Sequence, residues 1–355
     1  MKTNIPSITI ALDLGDKKHA LCVLNQDGDI IDERMMTNHR ESLRRLSQKY
    51  PSSRIAMEVG SHSPWTSRFF KELGHEVFVA NPRKLRAIYT SDRKSDKNDA
   101  RMLAKIARID PDLLYPIEHG AEQSQRDLLQ IKLRDNLVRQ RVDIISSVRF
   151  TLKSLGISLP SPNSACFAKR CRTLLAGVHE DLLVMIQPSL HVIDMMTQKI
   201  RELDKAIENL CEEKYPVTKR LRQITGVGSI TALSFVLTIE DAERFERPRD
   251  VAAYLGLVPR RDQSGGLDKQ LRISKAGDAY LRRLLVGCAQ YILGPFGPDT
   301  DLKRHGLMLA TRGGGRSKRK AVVAIARKLS VLMLTLWKYE KDYEPLRNEQ
   351  ETQAA

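Results

Sequence analysis

Four acidic residues have the types and spacing for metal-dependent chemistry: Asp13, Glu58, Asp96 and Asp99. Each of the first two closes a short apolar segment, and the last two lie three residues apart in a basic stretch. Like charges held together are costly unless a divalent cation neutralises them, and hard oxygen ligands suit Mg²⁺ or Mn²⁺. Residues three apart share one face of a helix, so Asp96 and Asp99 can address the same cation. The set therefore predicts a Mg²⁺ site, with Mn²⁺ as an alternative.

Each acid also has a plainer interpretation. Asp13 could cap the turn after it, with Asp16 as the ligand instead, and Glu58 could be a solvated strand end. The helical pair could simply complement the helix macrodipole, and Asp92 is a rival ligand. The metal-site hypothesis rests on the ordered set of four rather than on any single member.

The charge balance indicates a polyanionic partner. The chain has 355 residues, of which 59 are Lys or Arg and 43 are Asp or Glu, a formal net charge of +16. Such an excess supplies many phosphate contacts, and metal-binding acids inside a basic protein predict phosphodiester chemistry on nucleic acid. No apolar run reaches the roughly 18 residues needed to span a membrane and no signal peptide opens the chain, so we expect a cytoplasmic protein without membrane contacts. Most of the five scattered cysteines are expected to be reduced core thiols.

The elements that would position the acids alternate between strands and helices in the first third of the chain. An Asp27-Gly28 turn is expected to join the second and third strands into a hairpin. A further helix is expected to begin near Asp96, with an apolar face of Ala100, Leu103, Ala104 and Ala107. The order is β-β-β-α-β-α-β, with strands at 7–14, 19–25, 29–36, 54–59 and 76–80 and helices at 40–49 and 64–73.

The middle third is predicted to be helical. An amphipathic helix is expected over about 128–155. In the region after it, Ile186, Ile193, Ile200 and Ile207 repeat every seven residues, and a second apolar residue follows three positions after each of the last three. This pattern is favoured by two-stranded coiled coils and predicts self-association, while an antiparallel helix pair inside one chain remains open.

Two glycine-containing turns in the last third have spacing that suits phosphate contacts. Gly226 and Gly228 lie between two short helical segments, as in half of a helix-hairpin-helix element, whose amides can bind a phosphate backbone. An ordinary tight helix connection explains them equally. Ser264, followed by two glycines and flanked by arginines, could present a hydroxyl to a phosphate, although such a turn is usually only a loop.

Basic residues elsewhere are candidates for guiding nucleic acid. Residues 312–320 form a glycine-rich basic stretch that we expect to be flexible and able to follow DNA or RNA, although a merely solvated loop is the alternative. Basic residues between 83 and 94 precede the acidic pair and could guide a strand. The residues expected to contact nucleic acid are Gly226, Gly228, Arg260, Arg261, Arg272, Lys275, Arg282, Arg316, Lys318 and Arg319.

The first-third element order and its acids resemble the RuvC-like branch of the ribonuclease H fold. With the isoleucine seam and the C-terminal segments Gly-Leu-Val-Pro, Gln-Ser-Gly-Gly, Ile-Ser-Lys-Ala-Gly-Asp and Leu-Arg-Arg-Leu-Leu, nearly the whole chain resembles the DEDD transposases of bacterial insertion sequences, the IS one-ten family. The resemblance implies an α/β RuvC-like catalytic domain over 1–120 and a helical coiled-coil region over 121–215. A mostly helical transposase domain over 216–345 and a flexible tail over 346–355 would follow.

The resemblance also implies a chemistry. Asp13, Glu58, Asp96 and Asp99 would hold Mg²⁺, and Ser264 would be the nucleophile that joins covalently to DNA. The partners would be donor DNA, target DNA and a noncoding bridge RNA, and a dimer or tetramer would act at the nucleoid of a bacterial cell. No phosphate-binding Gly-x-x-x-x-Gly-Lys-Ser/Thr loop is present, in line with chemistry that needs no ATP. The alternatives are a RuvC-like junction resolvase that uses water and a noncatalytic nucleic-acid-binding scaffold.

Overall fold

The computed structural model describes residues 6–85, 95–159 and 164–347. These residues fall into two compact units, Met1–Gly120 and Ala121–Ala355. The first unit is mixed α/β and the second is largely helical. Among the described helices, none combines the length and the apolar character needed to cross a lipid bilayer.

The first unit is built on a five-stranded sheet with the strand order β3-β2-β1-β4-β5. Strands β1, β2 and β3 form an antiparallel meander, and β4 and β5 continue the sheet in parallel with β1. The predicted element order is confirmed, with each end within two residues of its expected position. The elements are β1 Thr9–Asp13, β2 Lys18–Leu24, β3 Ile30–Thr37, α1 Arg40–Lys49, β4 Arg54–Glu58, α2 Ser63–Glu72, β5 Glu76–Ala80, α3 Pro82–Leu85 and α4 Asp96–Ile109.

The turn between β2 and β3 is set by a single side chain. Asn25 Oδ1 accepts hydrogen bonds from the backbone N–H groups of Asp27, Gly28 and Asp29 at 2.8–3.0 Å. Gly28 has φ of +96°, a left-handed conformation that costs glycine little. The Asp-Gly pair therefore forms the predicted hairpin turn.

The two faces of the sheet bury different side chains. Leu12 and Met57 belong to a core of large apolar residues that includes Phe70. On the opposite face, Ala11 and Ala56 pack with the apolar stripe of α4. All four residues predicted for that stripe, Ala100, Leu103, Ala104 and Ala107, are buried. Because these side chains are small, α4 approaches the sheet closely.

The second unit contains the remaining elements. Two long helices come first, followed by a helical bundle with one two-stranded antiparallel sheet. The elements are α5 Glu122–Ser154, α6 Phe167–Leu175, α7 Glu180–Glu213, α8 Val217–Leu221, α9 Ser229–Ile239, α10 Val251–Tyr254, β6 Pro259–Ser264, β7 Leu267–Ile273, α11 Ala279–Leu293, α12 Asp301–Thr311 and α13 Ser317–Lys338.

The isoleucine seam of α7 packs within its own chain. Ile193 is buried in one cluster with Val148 of α5, and Ile207 is buried in another with Ile131. The partners on α5 run in the opposite direction along α7, so the two helices are antiparallel. The internal helix pair that the sequence left open is therefore present, and burial of the seam needs no second chain. Self-association stays a prediction.

Four of the five cysteines are buried: Cys22, Cys171, Cys211 and Cys288. Burial raises the pKa of the Cys22 thiol to about 11, with the carboxylate of Glu33 as a second cause. These thiols are packing residues rather than nucleophiles, because the thiolate is the reactive form.

Candidate functional site

Asp13 and Glu58 lie next to each other at one edge of the sheet. Each is the last residue of its strand, and the residues before them, Leu12 and Met57, are paired in the parallel register of β1 and β4. Carboxyl ends of parallel strands meet at one edge, where α/β proteins commonly bind ligands. Both acids are half-buried.

The alternation of side chains along a strand puts the two acids on the face that α4 covers. Ala11 lies two residues before Asp13 and Ala56 two residues before Glu58, and both alanines pack with α4. Side chains two apart on a strand point to the same face. The strand acids therefore share a face with the helix that carries the other two.

The direction of α4 brings its first turn to the same edge. Arg54, at the start of β4, is 6% exposed and donates from Nη1 to the carbonyl of Ala107 at 3.0 Å. From Ala107 back to Asp99 the helix rises about 12 Å, and from Arg54 to Glu58 the strand advances about 13 Å. The first turn of α4 therefore lies toward the carboxyl end of β4.

Two further contacts fix α4 along the sheet. Arg101 Nη2 donates to Glu33 Oε2 of β3 at 2.7 Å, and Arg108 Nη1 donates to the carbonyl of Gln26 at 3.0 Å. The Arg101 guanidinium holds the pKa of the Glu33 carboxyl below its usual value. With Arg54, these arginines tie the middle and the end of α4 to three points on the sheet.

Asp96 and Asp99 extend the sheet-facing stripe of α4 by one turn. Asp99 precedes the buried Leu103 by four residues and Asp96 precedes Ala100 by four, a spacing that keeps side chains on one face. Asp99 is half-buried and Asp96 is exposed. Ser95 caps the turn, because its hydroxyl accepts a hydrogen bond from the Asn98 N–H at 3.3 Å.

The backbone elements gather the four acids, but their side chains do not close into a ligand group. Among the described residues, no three His, Cys, Asp or Glu side chains lie close enough together to hold one metal ion. The chemistry of the donors still fits the expected cation, since all four offer only carboxylate oxygens, which Mg²⁺ prefers.

The rival ligands are placed differently. Asp16 is 92% exposed in its side chain and lies 3.1 Å from Nε2 of His62, beyond the end of β1. Asp92 lies outside the described residues, as do Arg86, Arg93 and Lys94 of the basic group expected to guide a strand. Of that group, Arg83 and Lys84 belong to α3.

A contact that the sequence analysis missed holds the turn after Glu58. Ser63 Oγ lies 2.8 Å from Nε2 of His119 and accepts a hydrogen bond from the Gly60 N–H at 3.0 Å. Burial lowers the pKa of His119, and Arg68 and Lys71 lower it further. The partners are 56 residues apart, so no local pattern could reveal them.

The predicted nucleophile lies at the tip of a hairpin. Ser264 ends β6 and is paired with Leu267 at the start of β7, with Gly265 at φ of +57° between them. The side chain of Ser264 lies outside what the structure describes. Arg260 and Arg261 on β6 and Arg272 on β7 are exposed. The hairpin therefore carries its cations on a surface rather than in the core.

Two glycines fix the base of this hairpin. A Cβ on Gly256 would lie 2.2 Å from the backbone nitrogen of Ala276, and a Cβ on Gly277 would lie 2.2 Å from the carbonyl oxygen of Tyr254. The Lys275 N–H donates to the Gly256 carbonyl at 3.1 Å across this contact. Two backbone segments thus meet where neither can carry a side chain, which explains the glycines in the Gly-Leu-Val-Pro and Ser-Lys-Ala-Gly-Asp motifs.

Arg282, predicted to contact nucleic acid, has a structural function at the same place. Its Nη1 donates to the carbonyls of Ala276 at 2.6 Å and Leu255 at 3.0 Å. Both carbonyls belong to the segments that the glycines bring together. The guanidinium therefore holds the base of the hairpin, whereas Lys275 is exposed with φ of +55°.

The Gly-x-Gly turn connects α8 to α9. Gly226 has φ of +95°, and a Cβ there would lie 2.9 Å from the ring of Tyr291. Gly228 is the residue before the first turn of α9 and has open space around it. Packing alone accounts for Gly226, and a phosphate contact at this turn stays a prediction.

The expectation of a flexible stretch over 312–320 is wrong for its second half. Helix α13 begins at Ser317, so Lys318 and Arg319 are in its first turn. Ser317 Oγ donates to the carbonyls of Ala310 and Gly314 at 2.8 and 2.9 Å. Only residues 312–316 connect α12 to α13, and the start of α13 is hard to predict because no side chain caps its first N–H groups.

Two family models match the chain. One, described as a transposase of the IS116/IS110/IS902 family, matches residues 218–300. The other, a DEDD transposase model, matches residues 10–157 and so includes all four acids.

Several transposases are similar to the chain over most of its length. The transposase of the insertion sequence IS1328 of Yersinia enterocolitica is 30% identical over 292 residues, 81% of this chain and 84% of that protein. The IS1111A transposase of Coxiella burnetii is 28% identical over 94% of this chain and 90% of its own length. A pilin gene-inverting protein of Moraxella lacunata is 24% identical over 76% of this chain and 75% of that protein.

Proposed function

This chain belongs to the IS110 family of DEDD transposases and is a DNA transposase, and we propose that it cuts and rejoins DNA through a serine-phosphate intermediate. The proposal assigns metal binding to the four acids of the RuvC-like first unit and the nucleophile to Ser264 of the second unit. The observation that carries the proposal is the position of Asp13 and Glu58 on adjacent parallel strand ends, with the end of α4 held at the start of β4 so that its first turn lies toward the same edge.

The acids would hold a divalent cation, Mg²⁺ or Mn²⁺. Such a cation would neutralise the negative charge that develops on the phosphate. The chain's own contribution is to fix the ligands: Arg54 holds the end of α4 at the start of β4, and Ser63 holds the turn after Glu58. Asp96 is exposed, so its carboxylate would be free to turn toward a bound cation as the fourth ligand.

Ser264 would attack the scissile phosphate. The new bond joins the serine oxygen to phosphorus while the bond from phosphorus to O3′ breaks. The proton that the serine loses is balanced by the one that the released 3′ hydroxyl gains. The phosphoserine conserves the energy of the phosphodiester, so rejoining to another 3′ hydroxyl reverses the step without ATP. Exposed Arg260, Arg261 and Arg272 on the hairpin support this assignment, because cations stabilise the extra negative charge.

The proposal extends to the partners. Donor and target DNA would be chosen by a noncoding bridge RNA, and two or four copies of the chain would act together. The net charge of +16 supports contact with more nucleic acid than one scissile site. The remaining residues proposed to contact phosphates are Gly226, Gly228, Lys275, Arg316, Lys318 and Arg319.

A trapping experiment tests the serine. The purified protein is incubated with its copurifying RNA, Mg²⁺ and DNA that matches the RNA loops, and the products are denatured. We expect a covalent protein–DNA adduct that Ser264→Ala abolishes and Ser274→Ala, the matched control just after β7, retains. An adduct that persists in Ser264→Ala refutes the serine mechanism. Metal-dependent cleavage that leaves free 5′ phosphates without an adduct would instead identify a resolvase that uses water.

A second comparison tests the acids. Asp13→Asn should abolish Mg²⁺-dependent cleavage while leaving DNA binding intact, and Asp16→Asn serves as the matched control because it removes an exposed carboxylate three residues away. Cleavage lost in Asp16→Asn but kept in Asp13→Asn would move the ligand to the rival position. Binding without metal-dependent cleavage by the wild type would favour a noncatalytic scaffold.

A further inference from the structure

A large basic cleft lies in the second unit. Its volume is about 1610 Å³, and it is lined by α13, β7, the start of α12 and residues 343–347. Pockets for small molecules usually measure roughly 300–1,000 Å³. The size therefore favours a ligand larger than a single small molecule.

The floor of the cleft is apolar, and the charged side chains around it are mostly cationic, with Asp301 and Glu344 as the carboxylates in the lining. Val323, Val331 and Leu332 of α13 are half-buried, whereas Arg327 and Lys328 between them are exposed. Nine exposed cations line the cleft: Arg249, Lys275 and Arg347, and a further six, which are Arg272, Arg316, Arg319, Lys320, Arg327 and Lys328. Within the described ranges, none of these six forms an ion pair, although Arg283, Arg304 and Lys338 of the same unit do.

This arrangement is costly without an anion. The first turn of α13 contains no acidic residue but carries Lys318, Arg319 and Lys320, which lie at the positive end of the helix dipole. Burial, with Lys328 and Arg312 as further causes, lowers the pKa of His305 in the cleft wall. A bound polyanion would relieve this repulsion.

The shape distinguishes between a duplex and a single strand. A helix that reads duplex DNA protrudes into the major groove, whereas the cationic face of α13 lies inside a concavity. In a duplex the base faces are stacked away from the protein, so an apolar floor would gain nothing. In a single strand the bases are free to contact apolar side chains while phosphates meet the cations.

The length of the floor sets the size of the ligand. From Lys320 to Thr335, both in the lining, α13 rises about 22 Å. Stacked nucleotides advance about 3.4 Å each along one strand, so the cleft holds about six.

We propose that this cleft binds about six nucleotides of single-stranded nucleic acid, with phosphates against Lys320, Arg327 and Lys328 and bases over Val323 and Leu332. The proposal deepens the function proposed above and rests on it, because it assigns a place to one strand of a nucleic-acid substrate or guide. It does not depend on which residues perform the chemistry.

Equilibrium binding separates this proposal from the catalytic one. Full-length Ser264→Ala protein in EDTA is titrated against a labelled eight-nucleotide DNA, the same sequence as RNA, and a DNA duplex of that sequence. The absence of metal and of the serine hydroxyl removes cleavage from the measurement. We expect either single strand to bind at least about ten-fold tighter than the duplex, and the tighter of the two identifies the strand as DNA or RNA.

Variants that remove charge and variants that change the apolar floor should affect the salt dependence of binding differently. Arg327→Ala with Lys328→Ala should weaken single-strand binding about ten-fold and reduce the slope of log affinity against log salt by about 1.4, or 0.7 per lost phosphate contact. Val323→Gln should weaken binding without changing that slope. The matched control is Lys169→Ala with Arg170→Ala, which removes the same charge from two exposed neighbours on α6.

Two outcomes overturn the proposal: single strands that bind no tighter than the duplex, or a cleft double variant that loses no more affinity than the α6 control. If the wild-type protein forms no covalent adduct with DNA in Mg²⁺ while single-strand binding shows the predicted preference, the serine mechanism is refuted and the cleft assignment stands. If the wild-type protein forms the adduct but the cleft variants bind single strands as well as the control does, the cleft assignment is refuted and the serine mechanism stands.

Discussion

Substitution of Gly277 by alanine tests whether the close backbone contact at the base of the hairpin holds the Ser264 hairpin in place. Gly277 has φ of +66°, and its Cβ would lie 2.2 Å from the carbonyl oxygen of Tyr254, a backbone atom that cannot rotate away. A left-handed alanine costs about 1–2 kcal/mol, and overpacking typically costs about 1–3 kcal/mol. Alanine also restricts the unfolded chain more than glycine does, which stabilises the folded state by about 0.4–1 kcal/mol. The expected net loss of unfolding free energy is about 3 kcal/mol.

The measurement is urea unfolding followed by circular dichroism, with the thermal midpoint as a second readout. For a unit of this size, about 3 kcal/mol corresponds to a midpoint lowered by about 6–12 °C. Gly266→Ala is the matched control, since that glycine lies on the same hairpin with nothing within 4 Å of its Cβ. Equal stability of the two variants would refute the packing argument, because it would mean that the motif glycine is not needed for backbone approach.

Two further predictions concern the first unit. Arg54→Met should lower the unfolding free energy of this unit by about 2 kcal/mol, because the Ala107 carbonyl and the Glu76 carboxylate lose the donor that they share. The same variant should lower metal-dependent cleavage more than DNA binding. Arg45→Met, at an exposed position of α1, is the control, and unchanged cleavage by a folded Arg54→Met would contradict the idea that Arg54 anchors α4. Burial lowers the pKa of His19, His75 and His119 below the ordinary value of 6.5, so the unfolded chain binds more protons than the folded one at mildly acidic pH. The stability that these neutral imidazoles contribute is therefore fully present above pH 6.5 and is lost as the pH falls through their folded-state pKa values. Thermal unfolding between pH 7.5 and 5 checks this, and His75→Asn should flatten the decline; a midpoint that rises on acidification would be inconsistent with neutral buried imidazoles.

The sequence predicted the first unit well because its signals are local. Strands β1, β2 and β4 are almost continuously buried, and the stripe of α4 follows helical spacing through Ala100 and Ala107. The Asp-Gly turn depends on three neighbours of Asn25. Each of these features is decided within about ten residues of chain.

The features that sequence missed depend on distant contacts or on ambiguous patterns. The sequence of the β6–β7 hairpin looks like a polar loop, because β6 has no apolar residue after Pro259 and the polar residues 268–270 interrupt the apolar positions of β7. The Ser63–His119 contact joins residues with no shared pattern. The isoleucine seam fits a partner helix on the same or another chain equally, since a heptad repeat specifies an apolar face and not the chain that covers it.

The acids and the Ser264 hairpin are positioned by different physical means, and this difference predicts how each will fail. The acids depend on buried packing of α4 against small residues, reinforced by Arg54, so single changes on the sheet face shift the first turn of α4. The hairpin carries little core of its own and depends on the backbone contact between Gly256 and Ala276. In the first unit, loss of a methyl group beneath α4 should be damaging, because the cavity loosens a packed helix. At the base of the hairpin, gain of a methyl group should be damaging, because the added Cβ forces two backbone segments apart.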